Sequence, residues 1–110
     1  MFTRKNFYQI IAELVDIQIR SHNETREDVA AVLGVSESFV KKLHSPTAEK
    51  HYNVIHLFLL ANHWNISINA LLPSTDTLCK LDIYRDCSAD DLREKVNEMI
   101  AVLRKDDLNE

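Results

Sequence analysis

The chain has 110 residues, 45% of them hydrophobic, and a formal net charge of −4. This length suits one compact domain with a single fold and leaves too little chain for two independent domains. No stretch of 18 to 20 uncharged apolar residues occurs, and Glu13 interrupts the N-terminal segment where a signal peptide would be apolar. We therefore expect a cytoplasmic protein without a membrane span.

The negative charge is concentrated in one part of the chain. Residues 1–52 contain seven Lys/Arg and seven Asp/Glu, residues 53–73 contain neither kind, and residues 74–110 contain six against ten. Net charge governs steering and non-specific affinity, so a neutral N-terminal part with local cations remains compatible with DNA binding. The acidic C-terminal third is a candidate surface for a protein partner.

Cysteine and histidine usage argues against a metal site and a disulfide. Cys79 and Cys87 form no CxxC pattern, and in a reducing compartment we expect two reduced thiols that pack as small apolar groups. The five histidines form no close cluster with metal-ligand spacing. A glycine-rich phosphate loop and a nucleophile–base arrangement are also missing from the sequence, so we expect no cofactor and no enzymatic activity.

The first predicted helix runs from Arg4 to about Ile19. Thr3 is its N-cap, and Phe2 and Phe7 stand at the two positions of a hydrophobic staple. Apolar residues then recur at helical spacing, which predicts a helix that packs on the core.

Two short helices follow around Gly34, the single glycine of the chain. Thr25 and Asp28 form a capping-box pattern that opens a helix ending at Leu33, and Ser36 caps the next helix, which ends at 43 or 44. Glycine accepts the left-handed backbone conformation without steric cost, so Gly34 predicts a sharp corner between two helices.

The remaining elements are predicted with less local detail. A fourth helix spans Asn53 to His63 and is apolar on most sides, as expected for a central buried helix, and a short helix follows the cap Ser67 and ends before Pro73. Residues 74–87 are assigned to a helix, with a short strand or an irregular arm as alternatives. A last amphipathic helix starts at the Ser88 cap and carries a stripe of apolar residues: Leu92, Val96, Met99, Ile100 and Leu103.

The second and third helices carry a family resemblance. Residues that must be apolar or small for two helices to cross closely occupy seven positions: Val29, Ala30, Leu33, Gly34, Val35, Val40 and Leu43. This pattern resembles the helix-turn-helix of Cro, the lambda-type phage repressors and the XRE regulators, and FLLANHWNISINALLP is similar to the segment that follows in that family. The resemblance implies an all-α protein, with a five-helix lambda-repressor-like domain over residues 1–73 and a C-terminal extension over 74–110.

The resemblance also implies a DNA-binding surface. The third helix would enter the major groove with its N-terminal residues toward the bases, while the second helix crosses the backbone. Phe39 would either meet a thymine methyl or pack under the fourth helix. Lys41 and Lys42 would either contact the DNA or form an ordinary solvated side of the helix. The candidate contacts are Thr25, Arg26, Ser36, Glu37, Ser38, Phe39, Lys41, Lys42, His44, Ser45, Lys50 and Tyr52. The loop departs from the family, since Ser45–Pro46 replaces the usual Asn-Gly, which leaves its phosphate contacts open.

The resemblance further implies a homodimer on two half-sites about 34 Å apart. We expect the C-terminal stripe of Leu92, Val96, Met99, Ile100 and Leu103 to join the two copies, with folding back against the first helix as the alternative. The sequence therefore predicts a dimeric transcriptional regulator, a repressor rather than an activator, on a palindromic operator. The alternative is a protein-interaction module of the same fold, an antitoxin or phage adaptor with weak or no DNA binding.

Overall fold

The computed structural model describes the backbone of residues 2–108 and the side chains of residues 2–105. The helices are α1 (Arg4–Ser21), α2 (Arg26–Leu33), α3 (Glu37–Leu43), α4 (Val54–Trp64), α5 (Thr75–Leu78) and α6 (Ala89–Leu108), with 3₁₀ turns at Ile68–Leu71 and Asp82–Tyr84. Within residues 2–108 there is no β-strand. The predicted all-α class is confirmed.

Short polar side chains set the starts of the first three helices, as predicted. The Thr3 hydroxyl accepts the Asn6 N–H, and the Asn6 side chain accepts the Thr3 N–H in return. Thr25 and Asp28 form the same reciprocal pair at the start of α2, and the Ser36 hydroxyl accepts the Phe39 N–H. These caps satisfy N–H groups that have no partner inside their helices.

Gly34 makes the predicted corner between α2 and α3. Its backbone is left-handed, with φ of 70° and ψ of 33°, and the Val35 N–H donates to the Ala30 carbonyl at 3.0 Å. This arrangement ends α2 while satisfying one of its last carbonyl groups. The chain then re-enters a helix at α3, and the two helices pack against each other.

Residues 74–87 form a broken helical segment in place of one helix. The short α5 is followed by the 3₁₀ turn, and Leu78 and Leu81 are buried. The buried Thr77 hydroxyl donates to the Leu72 carbonyl at 2.6 Å, which fixes this segment to the end of the preceding turn. Of the cysteines, Cys79 is exposed and Cys87 is half-buried, and both are free thiols.

The buried residues form two clusters that share α1. One side of α1, including Ile11 and Val15, packs with α2, α3, α4 and Leu71. The other side, including Ile10 and Leu14, packs with residues of α5 and α6. The C-terminal segment is therefore built onto the same central helix as the N-terminal helices.

The C-terminal helix folds back onto its own chain, which is the alternative considered above to the predicted dimer interface. Leu92 and Met99 are buried against α1, and Val96 and Leu103 pack on the same cluster. Only Ile100 of the stripe remains exposed, at 47%. A short amphipathic helix needs a partner for its apolar side, and here α1 supplies that partner within the molecule.

Helix α4 is less buried than its sequence predicts. Leu57, Leu60, Ala61 and Trp64 are buried on one side, whereas Val54, Ile55 and Phe58 on the other side are exposed. The expectation of a helix buried on most sides is wrong for its first two turns. The reason is that the N-terminal part of α4 lies at the molecular surface, where nothing within residues 2–105 covers its outer side.

Candidate nucleic-acid interface

Four predicted readers lie together on the outer side of α3. Glu37, Ser38, Lys41 and Lys42 are exposed, while Val40 and Leu43 on the opposite side are buried. Residues 37 and 41, and residues 38 and 42, are four positions apart, which is about one helical turn. The four side chains therefore lie on one side of the helix. Among the side chains of residues 2–105, none forms an ion pair with either lysine or with Glu37.

Ser36 and Thr25 lie at exposed helix starts, but their hydroxyl groups already serve as caps. The Ser36 hydroxyl accepts the Phe39 N–H at 3.1 Å, and the Thr25 hydroxyl accepts the Asp28 N–H at 3.3 Å. The Thr25 hydroxyl also donates to the Asp28 carboxylate. Both residues therefore fix the helix starts, in addition to their predicted place beside a phosphate.

Phe39 packs against α4. Its ring is half-buried and meets His56 in an edge-to-face arrangement with ring centroids 6.1 Å apart. Of the two roles considered for Phe39 from the sequence, the structure shows packing against the fourth helix. Phe39 thereby connects the candidate reading helix to α4.

Arg26 is engaged within the molecule. Its guanidinium lies 3.2 Å from the Asp16 carboxylate of α1, and its side chain is 41% exposed. An arginine with one side on a carboxylate keeps further N–H donors for a phosphate. The predicted phosphate contact at Arg26 thus stays a prediction, while its bracing contact to α1 is a structural fact that the sequence did not indicate.

Two residues predicted to contact the DNA backbone, His44 and Tyr52, have buried side chains. The His44 side chain is 2% exposed, and Tyr52 is 2% exposed. The His44 Nε2 lies 2.6 Å from the Tyr52 hydroxyl, and its Nδ1 lies 3.4 Å from Asp16. One ring nitrogen of His44 therefore faces the Asp16 carboxylate, and the other faces the Tyr52 hydroxyl. These residues hold the end of α3 to α1, and their contacts with a DNA backbone stay predictions.

The electrostatics of this buried network centre on Asp16. Burial alone would raise the pKa of the Asp16 carboxyl, but hydrogen bonds and charges from His44 and Arg26 lower it below its ordinary value of 3.8. Burial, together with the negative charge of Asp16, raises the pKa of the Tyr52 phenol. The network is therefore an ionised carboxylate beside a neutral phenol, which suits a structural role.

The loop between α3 and α4 contributes the last two predicted contacts. Ser45 is half-buried and its hydroxyl pairs with that of Thr47 at 3.1 Å, whereas Lys50 is exposed. The loop and the first half of α1 enclose an open groove of about 720 Å³, where Tyr8 stacks on His51 at 3.7 Å. Lys50 lines this groove, and the contacts of Ser45 and Lys50 with a DNA backbone stay predictions.

A second polar contact braces the end of α4. The Glu24 carboxylate accepts the Trp64 indole N–H at 3.0 Å and lies 2.9 Å from His63. Glu24 belongs to the turn between α1 and α2, so it joins this turn to α4. Trp64 itself is buried.

No protein-family model matches the chain, and no curated protein and no solved structure matches it either. Within the described residues, no group of histidine, cysteine or acidic side chains has the geometry of a metal site. No helix in that part of the chain is both long and apolar enough to span a membrane.

Proposed function

We propose that the chain is a sequence-specific DNA-binding transcriptional regulator, a repressor that acts as a dimer on a palindromic operator from the cytoplasm. The observation that carries this proposal is the outer side of α3, which follows a tight glycine corner and presents Ser38, Lys41 and Lys42 to solvent. Lysine donates to guanine O6 and N7, and a serine hydroxyl serves either a base or a phosphate. Glu37 on the same side suits a cytosine amino group.

The rest of the helix pair supports this use of α3. Its inner side is anchored by Val40 and Leu43, and its last residues are tied to α1 through the network of His44 and Asp16. A reading helix must be held rigidly, because an error of about 1 Å weakens a directional contact. Repression is proposed over activation because a DNA-reading surface can act by occupying an operator.

A second candidate function is favoured by the balance of charge. Residues 25–52 contain four Lys/Arg and four Asp/Glu, which gives little non-specific attraction to DNA. The alternative is a protein-interaction module, an antitoxin or an adaptor, that engages a partner through the acidic C-terminal third and binds DNA weakly or not at all.

One selection experiment distinguishes the two functions. The full-length protein is used to enrich a random library of DNA duplexes, and binding to the enriched sequence is titrated against salt. We expect one palindromic motif. The double variant Lys41→Ala/Lys42→Ala should then bind at least tenfold more weakly, since each good base contact is worth about 1–3 kcal/mol.

The matched control removes two exposed lysines elsewhere. Lys80→Ala/Lys105→Ala changes the net charge equally but leaves α3 intact, so it should bind as the wild type does. If Lys41 and Lys42 contact phosphates, the slope of the salt dependence should fall by about two. A wild-type protein that enriches no motif, or equal binding by the two double variants, would contradict the DNA-reading proposal.

A further inference from the structure

The first two turns of α4 carry a cluster of exposed apolar side chains. Val54, Ile55 and Phe58 are 70%, 64% and 61% exposed, respectively. Their spacing of one and three or four residues places them on one side of the helix. We call these three residues the α4 apolar face.

The α4 apolar face differs from the other exposed apolar residues of the described chain. Ile83 and Ile100 are also exposed, but each is the single large exposed hydrophobic residue of its own element. Isolated apolar residues are ordinary on a protein surface, whereas a contiguous apolar patch of a few hundred Å² is among the largest that a monomer exposes and is often functional. At these exposures each of the three side chains has an accessible area of roughly 100 Å², so together they form an apolar patch of a few hundred Å².

The charge pattern indicates which partner fits this face. Residues 53–73, which include all of α4, contain no lysine, arginine, aspartate or glutamate. In a two-fold dimer the same patch lies on both copies, so a charged patch would meet its own charge, while an uncharged apolar patch is self-complementary. A strongly charged partner, in contrast, finds no opposite charge on this helix.

We propose that the α4 apolar face is the interface between two copies of this chain. Helix α4 is in contact with the candidate reading helix through Phe39 and His56, so a two-fold axis beside α4 would fix two α3 helices relative to each other. The expectation of a dimer rests on the proposed function, but the choice of surface rests on exposure and charge. Two such faces bury less than the area of a standard interface, which is about 1,200 Å², so we expect a weak and reversible dimer.

The mass of the full-length protein tests this assignment. Sedimentation velocity over a hundredfold range of concentration should show a monomer–dimer equilibrium for the wild type. In Phe58→Glu, two like charges meet across the axis in an apolar contact, and we expect the dissociation constant to rise at least tenfold. Ile55→Glu is the second variant, and both should keep the circular dichroism and Trp64 fluorescence of the folded wild type.

The control places the same charge on another exposed isoleucine. Ile83 lies in the 3₁₀ turn Asp82–Tyr84 and is 73% exposed, so Ile83→Glu should leave the dimer unchanged. A wild type that is monomeric at every concentration overturns the proposal, and so does a folded Phe58→Glu or Ile55→Glu variant that dimerises normally.

The outcome for the interface is separable from the outcome for DNA binding. Lys41→Ala/Lys42→Ala alters α3 and should retain the wild-type mass, whereas Phe58→Glu should lose the dimer but keep α3 intact. If Phe58→Glu is monomeric and the wild type enriches no DNA motif, the interface holds and the proposed function fails. If the wild type enriches a motif but is monomeric, the interface fails and the DNA-reading proposal remains.

Discussion

At the scale of single residues, Asp16 links three segments that are distant in the sequence. Its carboxylate lies beside Arg26 at the start of α2 and beside His44 at the end of α3, and His44 in turn meets Tyr52 before α4. Each contact is buried or half-buried, and every described buried side-chain N or O atom has a hydrogen-bond partner. The network thus fixes the start of α2 and the end of α3 to α1.

The Tyr52 hydroxyl can be removed to test this network. In Tyr52→Phe the His44 Nε2 loses its partner at a buried position, and an unsatisfied buried polar atom costs about 1–3 kcal/mol. We expect the free energy of unfolding to fall by about that amount, as measured by urea denaturation. Tyr84→Phe is the control, because Tyr84 is half-buried and its hydroxyl forms no hydrogen bond within the described residues. Equal losses in the two variants would contradict the role assigned to His44.

His56 gives the protein a pH-dependent helix start. Its Nδ1 accepts the Asn53 N–H at 3.1 Å, which only the unprotonated nitrogen can do. Burial, with a smaller contribution from the charge of His51, lowers the pKa of His56 below its ordinary value of 6.5. The unfolded chain therefore binds this proton more tightly than the folded chain does.

The stability that His56 contributes should be complete above about pH 6.5 and lost as the pH falls through that value to the folded pKa. Urea denaturation between pH 8 and pH 5 measures this loss. His56→Gln keeps an acceptor at the same capping position but does not titrate, so the stability difference between the wild type and His56→Gln should change with pH. A difference that is constant across this range would show that His56 is not the group responsible.

At the scale of elements, Gly34 sets the crossing of α2 and α3 through its backbone alone. A Cβ atom built at this position meets nothing within 4 Å, so space is not the constraint. The constraint is the φ of 70°, which most side chains adopt only with strain. Substitutions at Gly34 therefore test the cost of the backbone conformation without a steric clash of the new side chain.

We expect Gly34→Ala to cost about 1–2 kcal/mol of unfolding free energy, the usual penalty of a left-handed residue with a Cβ atom. Gly34→Val should cost more, because β-branched residues disfavour positive φ most, and Gly34→Asn should cost least, because asparagine tolerates this conformation. Thermal and urea unfolding of the three variants give the order. If the loss followed side-chain volume, with asparagine worse than alanine, the backbone explanation would be wrong.

Local features of the sequence predicted the helix starts, while contacts between distant residues escaped prediction. Thr3, Thr25 and Ser36 cap helices by bonding three residues ahead, so their roles are readable from short patterns. Asp16 stands on α1 as one polar residue among several, and only the folded chain brings His44 to it. The sequence also could not separate the two sides of α4, since Val54 and Leu57 are equally apolar and differ only in what the fold places against them.

At the scale of the whole molecule, α1 contributes buried residues to both hydrophobic clusters. Val15 and Leu14 are neighbours in the chain, yet Val15 packs with α2, α3 and α4, whereas Leu14 packs with the C-terminal segment. Loss of either core leaves one side of α1 without cover. We therefore expect the N-terminal helices and α6 to unfold together, as a single cooperative unit.

Trp64, the only tryptophan, reports on this coupling because it lies in the first core, whereas α6 belongs to the second. Leu92→Ala and Met99→Ala should each lower the free energy of unfolding by about 2–4 kcal/mol, the usual cost of truncating a buried side chain. Ile100→Ala on the same helix should cost far less, because Ile100 is 47% exposed.

The coupling itself is tested by comparing two signals during urea unfolding, at a protein concentration where dimerisation is constant. In Leu92→Ala and Met99→Ala, Trp64 fluorescence and far-ultraviolet circular dichroism should shift by the same amount and remain coincident. If α6 unfolded independently, circular dichroism would show an early loss of helix while the Trp64 transition stayed at the wild-type midpoint. That separation would mean that α2 and α3 do not depend on the second core, since the contacts of α1 with α2, α3 and α4 alone would then suffice to hold them.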